Sequence, residues 1–259
     1  MTRGRRLLAL GLEVSVPVAL LVLVGVWSAS SGSYYYPPLT HVLSTFRDTW
    51  LFSHFGSDAV PSLVRLGLGY AIASVLAVVL GLVLAVVPWL RRAADPVVEF
   101  LRAIPPPALL PFGILVMGVG NSMKVFIIAF VCIWPVLLNT MDGVSGIDPT
   151  LIDTASVYGM RSRDRVLRVM LPAAAPQIFA GLRTSLSLSL ILMVISEMVA
   201  STNGIGYFVL QSQRTFAIPE MWSGILLLGI LGYVLNLLFV IVERRVLRWH
   251  RGARASVLT

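Results

Sequence analysis

The chain has 259 residues, 57% of them hydrophobic and only 12% charged, about half the charge fraction of an ordinary soluble domain. That balance argues against a water-soluble fold, and so do three uncharged runs, Leu66 to Leu90, Ala103 to Met123 and Met221 to Val242, each reaching the roughly 20 apolar residues a bilayer-crossing helix needs. The net charge of +8 comes from short arginine blocks between apolar segments, without aromatic interleaving, which is the positive-inside pattern of a membrane protein and not a nucleic-acid surface.

In chain order, the apolar stretch Val14 to Ala29 follows Arg3, Arg5 and Arg6 and precedes small residues, so an anchoring span is weighed against a cleaved leader and preferred. Tyr34-Tyr35-Tyr36-Pro37-Pro38 puts aromatics where a helix leaves hydrocarbon, and Leu39 to Phe55 reads as an outer interfacial stretch. The chain is then expected to cross at Ala59 to Pro88, turn at Arg91 to Arg102, and return through Pro105-Pro106-Pro107 to about Val119, with a tight turn at Gly120-Asn121. Val125 to Met141 leads inward, Asp142 to Pro172 forms the longest inner loop, Pro176 to Met198 goes out and Met221 to Val242 comes in. The expectation is an all-α polytopic membrane protein of about six spans, one domain over 1–259 with a core of 59–242 and both termini cytoplasmic. No internal repeat is visible, which argues against a transporter built from inverted halves within one chain. The single cysteine, Cys132, rules out an intrachain disulfide.

The inner loop 146–172 is punctuated as a structural element. Asp148-Pro149 is an N-cap followed by proline at the first helical position, where the missing N–H costs nothing. Asp153 favours the positive end of that helix, Leu151, Ala155 and Tyr158 share a face at i, i+4 and i+7, and Gly159 supplies a stop that tolerates positive φ. Ser162 is expected to cap a second helix, Arg163 to Leu171, which Pro172 helps to end. A short amphipathic helix of this kind either lies on anionic headgroups or docks to a soluble partner, and the residues alone leave both open.

Asp153-Thr154-Ala155, three residues, Gly159, nine residues and then Val169-Met170-Leu171-Pro172 resembles the signature of membrane subunits of binding-protein-dependent ABC importers, a Glu-Ala-Ala run followed at the same spacing by Gly and Ile-x-Leu-Pro. Asp replaces Glu, Thr the first Ala, and Val the Ile. Further fragments in matching order, Arg102-Ala103-Ile104-Pro105, Gly181-Leu182-Arg183, Glu197-Met198 and Gly204-Ile205-Gly206-Tyr207, look like the sulfonate, nitrate and taurine type of permease. The resemblance implies type I importer architecture in the cell membrane, with two permease copies, expected to be identical, lining a central path. It also implies a cytoplasmic ATPase dimer gripping the loop and an outer binding protein that delivers substrate. The coupling residues implied are Asp153, Thr154, Ala155, Tyr158, Gly159, Arg161, Leu171 and Pro172. ATP and Mg would sit on the partner ATPase and no cofactor on this chain, whose only lysine, Lys124, stands outside any phosphate-loop run.

Asn139, Ser185, Ser189, Met193 and Glu197 are the candidate path residues, each weighed against helix packing. Glu197 in particular either lines the path or pairs with another helix, an intrahelical pair with Arg183 being excluded by about 21 Å of separation. His41, His54 and His250 lack metal-ligand spacing and Gly143-Val144-Ser145-Gly146 misses the nucleophile elbow, so no metal site and no catalytic residue are expected. An ion-gradient-driven carrier or a channel is the alternative. Sulfonate, taurine, nitrate, bicarbonate and a thiamine precursor all remain open as substrates.

Overall fold

The computed structural model describes residues 22–30 and 32–249, together with Ser15 and Ala19. The rest of the expected first span, Arg3, Arg5 and Arg6, and the residues from His250 onward lie outside the described residues; 22–30 are helical.

An amphipathic helix α1 (Leu39–Arg47) runs through two π-helical turns, Asp48–Ser53 and Phe55–Ala59, into α2 (Val60–Val86). Then follow α3 (Pro88–Ala103), α4 (Leu109–Met117), α5 (Asn121–Ser145), the loop helix α6 (Pro149–Val157), α7 (Ser162–Arg165), α8 (Leu171–Val199), the short α9 (Ile205–Arg214) and α10 (Ile218–Val246). Four helical stretches among the described residues are long and apolar enough to cross a membrane: Phe55–Val86, Asn121–Ser145, Ser162–Val199 and Ile218–Val246. α5 is the centre of the bundle, packed between α2 and α8. Gly69 and Gly81 let the backbones of α2 and α5 approach so closely that a Cβ would stand 2.6 Å from Ile128 and 2.7 Å from Thr140.

Three expectations are revised. The run Ala103 to Met123 is not one straight span. Prolines 105 to 107 remove three N–H donors and hold Ile104 and Pro105 extended (ψ 121° and 126°), while Gly118 at φ +72° ends α4 after nine residues, about 14 Å and under half the hydrocarbon thickness. With the helix before it this stretch forms a pair bent by 84°, at most a broken fifth span. The expected turn at Arg91 to Arg102 is itself the helix α3. It lays Leu90, Ala94 and Val98 against the cluster around Leu84 and Leu137 and turns its charges outward, as an i, i+4, i+8 stripe requires.

The second loop helix neither starts on a Ser162 cap nor stops at Pro172. Arg161 is the N-cap and Ser162 the first residue. The helix passes through a π turn, Val166–Met170, straight into α8. The wider turn lets the Leu171 N–H reach Val166 O just where Pro172, lacking an N–H, would interrupt the regular ladder.

Candidate functional site

Two constructions stand at opposite ends of the bundle. At one end is the loop between α5 and α8. The Asp148 carboxylate accepts the Thr150 N–H at 2.9 Å, a bond that holds its pKa below the usual carboxylate range, and Pro149 follows at the first helical position. Gly159 closes the helix at φ +70°, with its N–H on Ser156 O and the Met160 N–H on Ala155 O. Both punctuation marks fall where the sequence places them. The shared face does not present itself as one surface, however. Ala155 is buried within the loop, whereas Val157 and Tyr158 are 86% and 83% exposed and Leu151 is 46% exposed. Asp153, Thr154 and Arg161 are exposed and Leu171 and Pro172 half-buried. Thr154 turns its hydroxyl back to Thr150 O, and Arg165 reaches across to Ser156 Oγ at 2.9 Å, tying the second loop helix to the first.

At the other end a polar clamp is buried inside apolar helices. Glu197, near the end of α8 and wholly buried, pairs with Arg65 of α2 at 2.6 Å. The same carboxylate accepts the Gly206 N–H at 3.1 Å and lies 2.8 Å from Ser62 Oγ, which in turn accepts the Ile205 N–H at 2.9 Å. Asp58 accepts the Gly204 N–H at 2.8 Å and is held by Ser57 and His54. Arg65 continues to Asn121 Oδ1 at 2.8 Å and to Asn203. Three successive amides at the start of α9 thus find acceptors on other helices, which caps a helix end that would otherwise leave buried donors unpaired. Lys124, also buried, lies within electrostatic reach of Arg65 and Glu197, a second cation beside the pair. A lone ion there would carry a desolvation cost of several kcal/mol.

The clamp accounts for Gly204-Ile205-Gly206. Gly204 sits at φ +118°, and a Cβ on it would stand 2.4 to 2.6 Å from the Glu197 carboxylate; one on Gly206 would stand 2.5 Å from Val194 O. Only glycine allows the loop to lie on the acid.

Of the candidate path residues, Glu197 belongs to this clamp and pairs with α2, not with Arg183. Ser185 and Ser189 are wholly buried, the first reaching Cys132 O on α5 at 2.6 Å and the second bonding back to Leu186 O. Met193 is buried in the cluster that includes Met123 and Ile127. Asn139, half-buried, donates to Pro135 O within its own helix. The structure brings Glu197 and the Gly204 motif together and keeps the others apart along the α5 and α8 packing. Arg65, Ser62 and Asp58 were missed. For Arg65 a signal was available: it lies six residues inside the expected outer end of the span Ala59 to Pro88, against the positive-inside pattern, and a buried Glu197 needs a partner of its kind.

A transmembrane helical chain with a capped helical loop at one end matches a known class. The family model for the binding-protein-dependent transport system inner membrane component covers residues 75–249, and the chain belongs to that family. It is the permease subunit of an ABC importer, and ATP hydrolysis belongs to the partner ATPase. The putative aliphatic sulfonates transport permease of Bacillus subtilis is 27% identical over 92% of this chain and 86% of its own length. The nitrate import permease of Leptolyngbya laminosa is 29% identical over 90% and 88%, and the taurine transport system permease of Escherichia coli 29% over 79% and 73%. Among solved structures, an inward-facing form of the MetNI methionine ABC transporter superposes with a TM-score of 0.67 at 20% identity, over 77% of this chain and 97% of that one.

Proposed function

We propose that two identical copies of this chain form the path for a small solute of the sulfonate, taurine, nitrate, bicarbonate or thiamine-precursor class, delivered by an extracytoplasmic binding protein. Both termini and the loop 146–172 face the cytoplasm in this reading. Two ATPases, which carry the ATP and Mg, contact the loop helix. The similarity to permeases named for sulfonates, nitrate and taurine supports the substrate class. The observation that carries the coupling role is the pair Val157 and Tyr158, apolar and almost fully exposed on a helix fixed by Asp148 and Gly159. Asp153, Thr154 and Arg161 flank that contact, Ala155 braces the helix from behind, and Leu171 and Pro172 join it to α8. Ser185, Ser189, Met193 and Glu197 act on the path by fixing α8 against α5 and α2, and Asn139 stands beside them.

The test is co-purification of the ATPase with the Val157→Asp and Tyr158→Asp variants, followed by binding-protein-stimulated hydrolysis in reconstituted vesicles. Both variants should insert normally and lose the ATPase or its stimulation. If both keep the ATPase bound and fully stimulated, the loop is only an interfacial helix. Thermal-shift screening of the partner binding protein against the solute classes above identifies the substrate.

A further inference from the structure

A groove of about 760 Å³ runs between the helical residues 22–30, α1 and α10, at the end of the bundle that carries the clamp. Its mouth is aromatic: Trp27 and Tyr36 meet at 4.9 Å between centroids with their planes tilted by 59°, and Trp222 lies 6.5 Å from Tyr36. Below them the wall is Leu39 and Val42 of α1 and Ile225, Ile230 and Tyr233 of α10. The polar atoms nearest the wall are turned to the protein itself, the Ser28 hydroxyl to Gly25 O at 3.1 Å and the Trp222 indole N–H to Tyr35 O at 3.0 Å.

We propose that this groove is a binding site for one acyl chain of a bilayer phospholipid. Trp and Tyr concentrate at headgroup level, so the mouth marks one membrane interface. From Trp222 to Tyr233 the groove descends eleven residues of α10, about 16 Å, and half of a hydrocarbon core is about 15 Å. The groove is therefore one leaflet deep. Below Tyr233 it opens beside the exposed apolar flank of α10, formed by Val234, Leu237, Leu238 and Ile241, so the bilayer that covers the flank reaches the groove directly. Apart from the Tyr233 phenol and the Trp27 indole N–H the lining is apolar, so an acyl chain from the adjoining bilayer fills the groove with van der Waals contacts and leaves no polar group of its own unpaired. Gly229 opens the middle of the groove, where a Cβ would meet nothing within 4 Å.

The test uses the assembled transporter in phosphatidylethanolamine and phosphatidylglycerol vesicles containing a phospholipid with a photoreactive acyl chain, with the labelled peptides mapped by mass spectrometry. Label should concentrate on peptides holding Trp27 and Tyr233 in the parent, and should be lost from them in Gly229→Phe, whose side chain starts in open space and is directed to fill the groove. Mapping the parent needs no variant, so a misfolded Gly229→Phe would still leave the site tested. Label spread evenly over all lipid-facing helices would overturn the proposal. So would intermolecular cross-linking of Ile225→Cys, the one accessible thiol beside buried Cys132, because a second copy would then occupy the groove.

Discussion

Replacing Glu197 by Gln isolates the charge in the clamp. Volume and shape are kept, yet Arg65, with its side chain 4% exposed, loses its ionic partner while Lys124 stays within electrostatic reach of it. The new amide also presents N–H donors where the carboxylate now accepts from Gly206 N and faces Ser62 Oγ. Removing one member of a buried pair costs about 3–5 kcal/mol, which for a chain of this size is a fall in unfolding temperature on the order of 10 °C. Cys132 supplies the assay, since it is the only cysteine and is buried: a thiol-reactive dye becomes fluorescent only when the bundle opens. Arg65→Met should cost a similar amount, and the double variant should cost less than the sum by a coupling of about 0.5–3 kcal/mol. Below its melting temperature Glu197→Gln should remain assembled with the ATPase but show altered transport or basal hydrolysis. A Glu197→Gln midpoint equal to the parent's, or strict additivity of the two single variants, would refute the clamp as an energetic unit.

Gly204→Ala places a Cβ inside van der Waals contact of the Glu197 carboxylate at a φ of +118°, a backbone cost of about 1–3 kcal/mol before any bond is lost; hydrogen exchange at Ile205 and Gly206 should accelerate, while Gly229→Ala, in open space, should leave it unchanged. In the loop, Gly159→Asn should retain ATPase stimulation and Gly159→Val should lose it. The site is spatially open, so the difference comes from φ +70° alone, and equal loss in both variants would point to a contact instead. The depressed carboxyl of Asp148 contributes its cap fully above the unfolded carboxylate pKa of about 3.9 and loses it as pH falls through the lower folded value. Protection of the Thr150 amide should therefore persist from neutral pH through the ordinary carboxylate value of about 3.9 and fail only as the lower folded value is crossed, and the pH dependence should vanish in Asp148→Asn.

The loop was legible because its determinants are local. Asp148, Pro149 and Gly159 act within one or two turns of themselves, and a cap or a positive-φ stop needs no tertiary information. The long spans were legible for a similar reason, since only apolar length is needed to place them. Hydropathy failed at Ala103 to Met123 because it counts side chains and not N–H donors: three prolines and Gly118 break a run whose composition is faultless. The stop read at Pro172 failed in the opposite sense. A π turn supplied the shifted hydrogen bond that let the helix pass through the proline, and nothing in a propensity scale announces such a turn.

The clamp was only half legible, and the missing half is instructive. Glu197 and Arg65 are separated by 132 residues, so no spacing rule links them, and Arg65 sits inside the span Ala59 to Pro88 without a visible partner. Yet each is anomalous alone, an acid and a base among uncharged residues at the same level of the bundle, and burial makes each the other's simplest remedy. The continuous helix Ser162–Val199, roughly 55 Å long, then connects this pair with the loop. Its first turns are tied to the loop helix through Arg165 and Ser156, and its last turn carries Glu197. In the proposed cycle a displacement of the loop helix bears on the same continuous helix that holds the start of α9, which is how the two polar constructions at opposite ends of the bundle would be linked. Between them Ser185, bonded to Cys132 O, and Met193, in the cluster with Met123 and Ile127, hold that helix against α5.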